Sequence, residues 1–194
     1  MSGITPSQTV GPFFAIALTP GGYDWTPTLG NDLVTPDASG ERIRIEGRVL
    51  DGDGKPVTDA MIEIWQADGA GRYAHPADKR ANPNAAFRGF GRAGTDEGGG
   101  YRFETVKPGA VPGPNGPQAP HVVLAVFARG MLRQCYTRLY FSDDKANGAD
   151  PILALVPRER RATLIAQRRD GVGHPVYQFD VRLQGEGETV FFDI

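Results

Sequence analysis

From Ile43 onward the chain alternates between apolar and polar positions with a period of two. "IRIEGRVL" sets Ile43, Ile45 and Val49 on one face and Arg44, Glu46 and Arg48 on the other. That is the pattern of a half-buried strand. "DGDG" (Asp51 to Gly54) supplies a hairpin-type turn. "AMIEIWQAD" alternates again, and "DGAG" (Asp68 to Gly71) reverses the chain. "TDEGGG" leads into the strand "YRFETV", and "KPG" ends it. "HVVLAVFA", "TRLYF", "VYQFDVRLQ" and "TVFFD" complete the predicted strands. Helical spacing is confined to "PILALVPRERRATLIAQRR", where Pro157 interrupts it. Many short strands joined by Gly, Pro and Asp turns predict an all-β fold, a β-sandwich core with short helical inserts.

Residues 1–40 follow neither period. Pro6, Pro12, Pro20, Pro27 and Pro36 break any helix there. Phe13, Phe14, Ile16, Leu18, Tyr23 and Trp25 carry too much apolar surface for a solvated tail. The expected organisation is an extended N-terminal arm over 1–40, lying on a surface of its own domain or of a partner, and one β-sandwich domain over 41–194.

Bulk properties narrow the function classes. The 194 residues suit one domain with a real core. The formal net charge is -2 and no Lys/Arg stripe occurs, which argues against a nucleic-acid partner. The longest apolar run, Val122 to Ala128, is far short of a membrane span, and no basic lead-in marks a signal peptide. A single cysteine, Cys135, excludes an internal disulfide and fits a reducing, cytoplasmic setting, with the thiol as a small half-buried hydrophobe. Gly 26 and Pro 16 fit tight turns between strands.

Two motif-like stretches carry no chemistry. "GFGRAG" matches G-x-G-x-x-G, but a turn and a strand follow it instead of the helix that would receive a pyrophosphate. "DGDG" resembles the start of a calcium loop, yet its twelfth position is Ile62, not Glu. Neither G-x-S-x-G nor H-E-x-x-H is present. Of the three histidines, His75 and His174 read as loop residues. His121 stands at the mouth of a strand and is a metal ligand, a base or a spectator, depending on what joins it.

The order of motifs is more informative. "PSQTVGPFF", "EIWQADGAGRYAHP", "GRAGTDEGGGYRFETVKPG", "APHVVLAVFARG" and "TRLYF" follow one another. This series resembles the intradiol ring-cleavage dioxygenases, from about Pro6 to the end of the sequence. Active members hold a non-haem ferric ion with two Tyr phenolates and two His imidazoles, and anionic phenolates suit that hard cation. The first Tyr position is Tyr73. The second, two residues after K-P-G, is Val111. The H-x-H pair, whose members share one strand face, reads His121 and Val123. The family's active-site Arg position is Gln118.

The resemblance therefore implies a chain that binds no iron of its own. Tyr73 and His121 remain as relic positions, Val111 and Val123 replace the other ligands, and His121 becomes a hydrogen-bonding spectator. It also points to a branch of the family built from two homologous chains, alpha and beta, in repeated pairs. Only beta holds Fe(III), and the pair cleaves protocatechuate with O2 to 3-carboxy-cis,cis-muconate. "RLQGEGETVFFDI" and "VFARG" resemble the alpha type, in which the arm completes the pocket beside the partner's iron. The substrate-pocket positions carried over are Thr9, Gly11, Pro12 and Arg129. No catalytic residue is expected in this chain alone. Arg129 is either a donor to a substrate carboxylate or a surface Arg paired with an acidic neighbour.

Two other readings compete. "GRVLDGDGKPVTDAMIEIWQAD" also suits a transthyretin-like binding module without chemistry, but such a module does not need "SQTVGPFF", Tyr73 and His121. A catalytic single-chain dioxygenase with unusual ligands is opposed by Val111 and Val123.

Overall fold

The computed structural model describes residues 18–19, 29–36, 38, 40–80 and 86–193. Nine strands form: β1 (Arg42–Leu50), β2 (Met61–Gln66), β3 (Phe90–Gly94), β4 (Gly100–Val106), β5 (His121–Phe127), β6 (Cys135–Phe141), β7 (Ile165–Arg169), β8 (Val176–Gln178) and β9 (Val181–Arg182). They join in the order β3-β2-β5-β6-β7-β8-β1-β4, with β9 beside β1. The fold is all-β. Its two layers are one curled sheet, because β7 pairs parallel to β6 and antiparallel to β8. One core unites both halves: Ile43, Ile45 and Phe103 from β1 and β4 cluster with Ile62, Val122, Leu124 and Leu139 from β2, β5 and β6.

The two-residue period is visible in burial. In β1, Ile43, Ile45, Gly47 and Val49 are buried while Arg42 and Arg48 are exposed. In β5, Val122, Leu124 and Val126 face the core, which leaves His121, Val123 and Ala125 on the opposite face. Gln66 ends β2 inside the core as a fully paired amide. Its Nε2 donates to the carbonyls of Ala67 and Val106, and its Oε1 accepts from Thr105 Oγ1. The ends of β2 and β4 are thereby tied together.

Some elements differ from the pattern-based reading. "RATLIAQRR" is helical only in its first four residues: Arg158–Leu164 is a 3-10 helix that runs straight into β7. Pro157 limits the helix, and β7 is needed to join the two halves of the sheet. "FGRAG" is strand β3, despite its glycines. "VYQFDVRLQ" is divided into β8 and β9, and "TVFFD" keeps only the bridge between Tyr136 and Phe192. Residues 30–33 span the two edge strands. Arg92 N donates to Gly30 O, Leu33 N donates to Glu104 O, and Glu104 N donates to Asn31 O.

Candidate functional site

Register builds the site. Phe90 pairs with Trp65, Trp65 with Val123, and Val123 with Arg138. Arg92, Glu63, Ala125 and Tyr136 form the neighbouring row in the same way. Paired residues of adjacent strands share a face, so these eight side chains lie together on the face turned away from the core. Over them opens a cleft of about 850 Å³, lined among others by Trp65, Tyr73, Phe90, Val123, Ala125 and Tyr136.

Tyr73 reaches this cleft through a locked turn. Asp68 caps the turn by accepting from Ala70 N and Arg72 N. Gly71 adopts φ +73, and a Cβ there would lie 2.0 Å from Ala110 O, so only glycine lets the turn pack beside Val111. Asp78 accepts from Tyr73 N, and Arg80 holds both carboxylate oxygens of Asp78 while donating to Gly71 O. The Arg80 guanidinium and these hydrogen bonds hold the Asp78 carboxyl well below the usual range. The Tyr73 ring stacks on Trp65 with centroids 5.9 Å apart and planes 9° apart.

His121 begins β5, opposite Tyr140. Its side chain is 4% exposed, and its Nδ1 lies 2.8 Å from Ala119 O. A carbonyl only accepts, so Nδ1 carries the proton and Nε2 is the lone-pair nitrogen. Asp150 anchors the approach: Oδ2 accepts from Ala119 N, and Oδ1 accepts from Tyr140 Oη, Ile152 N and Leu153 N. Val111 and Gln118 face each other through paired backbone hydrogen bonds. Of the four positions, Tyr73 and Val123 line the cleft, His121 begins the strand that carries Val123, and Val111 is held against Gln118.

A cation joins them there. Arg138 lies on the same face as Tyr136 and Tyr140, opposite Val123, and its Nη1 donates to Gln118 Oε1 at 2.8 Å. Burial raises the Tyr73 phenol above its usual range, with the Arg138 charge opposing that rise. Burial and, next, the Arg138 charge push His121 down to about 4. The donor set does not fit a ferric ion. One protonated phenol and one imidazole remain, two valines replace the other donors, and a fixed positive charge stands among them. Among the described residues, no group of three His, Cys, Asp or Glu side chains could hold a metal.

The depressed His121 implies a pH dependence. The ring titrates near 6.5 when unfolded and near about 4 in the fold. Between those values the unfolded chain binds more protons, so stability falls as pH drops through that window and levels off below it. Denaturant midpoints at pH 7 and pH 4.5 are expected to differ less for His121→Gln than for the parent chain. An equal drop in both would remove His121 as the cause.

The other sequence-derived positions are not gathered here. Thr9, Gly11 and Pro12 lie outside the described residues. Arg129 is beyond the far end of β5, about 25 Å from His121 at strand rise. Its Nε is 2.6 Å from Asp59 Oδ2, and its side chain stays 64% exposed. Asp59 lines a second, larger groove of about 1390 Å³ between β3 and β4. His75 is exposed and edge-on to Trp65, His174 pairs with Glu104, and Cys135 is half-buried. No helix among the described residues is long and apolar enough to cross a membrane. Sequence reasoning missed Arg138. "TRLYF" was legible as a strand, but only the β5–β6 register sets its Arg opposite Val123.

Ten to 185 is the span over which the chain matches the family described as "Dioxygenase", and the chain belongs to that family. Within it, the chain is 50% identical over 196 aligned positions to the protocatechuate 3,4-dioxygenase alpha chain of Burkholderia cepacia, covering 98% of this chain and 97% of that one. It is 40% identical over 167 positions to the beta chain of the same enzyme from the same organism, covering 82% and 71%. Among solved structures, catechol 1,2-dioxygenase from Acinetobacter sp. ADP1 superposes with a TM-score of 0.62 at 25% identity, over 84% of this chain and 60% of that one. The homologues are intradiol dioxygenase subunits, and a generic sandwich module without chemistry is set aside.

Proposed function

We propose that this chain is the iron-free, alpha-type subunit of a two-chain protocatechuate 3,4-dioxygenase. A homologous beta chain holds the Fe(III), and the pair cleaves protocatechuate with O2 to 3-carboxy-cis,cis-muconate in a larger assembly of alpha-beta pairs. One observation carries the reading: of the positions that would ligate iron only Tyr73 and His121 keep a donor, Val111 and Val123 are apolar, and Arg138 stands opposite Val123. Similarity over nearly the full length to an alpha chain supports it. Thr9, Gly11, Pro12 and Arg129 are the pocket residues this chain contributes. The extended arm over 1–40 and the domain over 41–194 belong to the same proposal, as does a cytoplasmic location.

Ferric iron, when bound by the partner, supplies activation of the catechol. What this chain offers is recognition. Protocatechuate carries a carboxylate that a guanidinium can hold through charge-assisted hydrogen bonds. Arg129 is the exposed member of its pair with Asp59, 64% against 25%, so its guanidinium keeps donors free for a substrate carboxylate without having to leave Asp59. Arg129→Ala is expected to lower kcat/KM for protocatechuate by roughly ten- to a hundredfold. Cleavage of unsubstituted catechol should change much less, and equal losses on both substrates would mark Arg129 as structural.

The test of the whole reading is expression of this chain alone and together with an iron-bearing beta chain, with iron and ring cleavage measured on each preparation. The chain alone is expected to be colourless and inactive, and the co-purified pair coloured and active. Stoichiometric iron with turnover in the chain alone would overturn the proposal.

A further inference from the structure

We infer that the cleft over β2, β3, β5 and β6 is a metal-free binding site for an aryl carboxylate, with the arene over Val123 and Ala125 and the carboxylate on Arg138. The inference rests on the reading that this cleft holds no iron.

The charge balance of the cleft is specific. Its two lining carboxylates are already claimed, Glu63 by Arg92 and Asp78 by Arg80. Two cations on or next to the cleft have no carboxylate partner among the described residues: Lys79 in its lining, whose Nζ donates to Pro76 O, and Arg138, which stands beside the lining opposite Val123. Arg138 is half-buried and its side-chain partners are neutral: it donates to the Gln118 amide oxygen and is hydrogen-bonded to the Tyr140 hydroxyl. The nearby buried carboxylate, Asp150, is committed to Ala119, Tyr140, Ile152 and Leu153. A guanidinium has five N–H donors, and a part-buried one with a neutral partner favours an incoming anion.

Shape selects the rest of the ligand. The small side chains Val123 and Ala125 leave a flat floor on the sheet face. Trp65, Phe90, Tyr73 and Tyr136 surround it with four rings. Such walls favour a planar arene over an aliphatic acid or a bare inorganic anion. Arg138 lies beside the floor because it pairs with Val123 and is two residues from Tyr136. An aryl carboxylate satisfies both halves: ring on the apolar floor, anion on the cation, bidentate where geometry permits.

The probe is 4-fluorobenzoate, followed by fluorine NMR on the full chain carrying Arg129→Ala, which silences the proposed carboxylate pocket, and co-purified with its beta partner. The compound has no phenol to offer a ferric ion. Saturable binding is expected, at least roughly tenfold tighter than for 4-fluorobenzyl alcohol, which lacks the charge. Arg138→Met should weaken it roughly tenfold or more, with Arg138→Lys between the two. Ala125→Trp, which fills the floor without touching the cation, should abolish it, so a misfolded Arg138 variant does not leave the matter open. No saturation at about 10 mM, or affinity unchanged by both Arg138→Met and Ala125→Trp, overturns the inference. Iron assigned to this chain in the same samples would instead overturn the metal-free reading beneath it.

Discussion

A chain carrying Val111→Tyr, Val123→His and Arg138→Gln is expected to take up ferric iron and turn red-brown, whereas Val111→Tyr with Val123→His alone stays colourless. The two ligand changes restore a four-donor set around Tyr73 and His121 on a backbone that the Val111–Gln118 bridge and the β5–β6 register hold in place. They do not remove the positive charge. A guanidinium a few ångströms from a trivalent ion disfavours its binding strongly, even with the screening of a part-buried site. Retaining Arg138 should therefore weaken iron binding roughly a hundredfold or more. Tyr73→Phe added to the triple variant should fold equally and lose most of the tyrosinate-to-iron colour. Val111 is buried, so overpacking is the folding risk, and circular dichroism on all variants controls for it. Equal iron uptake with and without Arg138 would refute the claim that its charge closes the site. Colour that survives loss of Tyr73 would refute the claim that Tyr73 marks a ferric site. Ring cleavage should stay weak throughout, since Gln118 is unchanged and the hydrogen bonds around the ligands are not rebuilt.

Asp150→Ala is expected to cost this fold roughly 3–5 kcal/mol, more than any substitution on the exposed faces. The carboxylate is 1% exposed and accepts from four donors. Removing it strands the Ala119 amide and the Tyr140 hydroxyl in the interior, each without water to replace the lost acceptor. Ala119 is also the residue whose carbonyl orients His121. Urea denaturation gives the stability, and a loss below about 1 kcal/mol would show that the Asp150 network is dispensable. Asp150→Asn should fall between, because an amide oxygen still accepts while its NH2 meets the same donors.

Legibility followed the physics of each element. β1, β2, β4, β5 and β6 were readable because alternation and turn residues are local signals that burial then reproduced, as in Ile43–Val49. β3 and β7 were not. "FGRAG" has too few apolar side chains to mark a strand, and "IAQRR" is called into the sheet by strands on either side of it, not by its own composition. The ligand positions Tyr73 and His121 come from the family resemblance, and only tertiary structure sets both within reach of the Arg138 charge. Arg138 shows the limit most directly. Nothing local distinguishes it from a solvated strand Arg; its place opposite Val123 is a register fact between two strands. For Arg129 the sequence allows a substrate carboxylate or an acidic neighbour as partner, and the single chain pairs it with Asp59.

Strand β1 lies between β4 on one side and β8 and β9 on the other. On the ribosome these two sides become available at different times. β4 emerges roughly 50 residues after β1, while β8 follows only after roughly 125. At ordinary elongation rates that second interval is on the order of ten seconds. Throughout it, the backbone of Arg44 to Glu46 presents an unpaired edge on its β8 side, with Ile45 within it and Ile43 just before it. Nascent chains of this topology thus expose an aggregation-prone template until late in synthesis, and chaperone dependence would be concentrated in that interval.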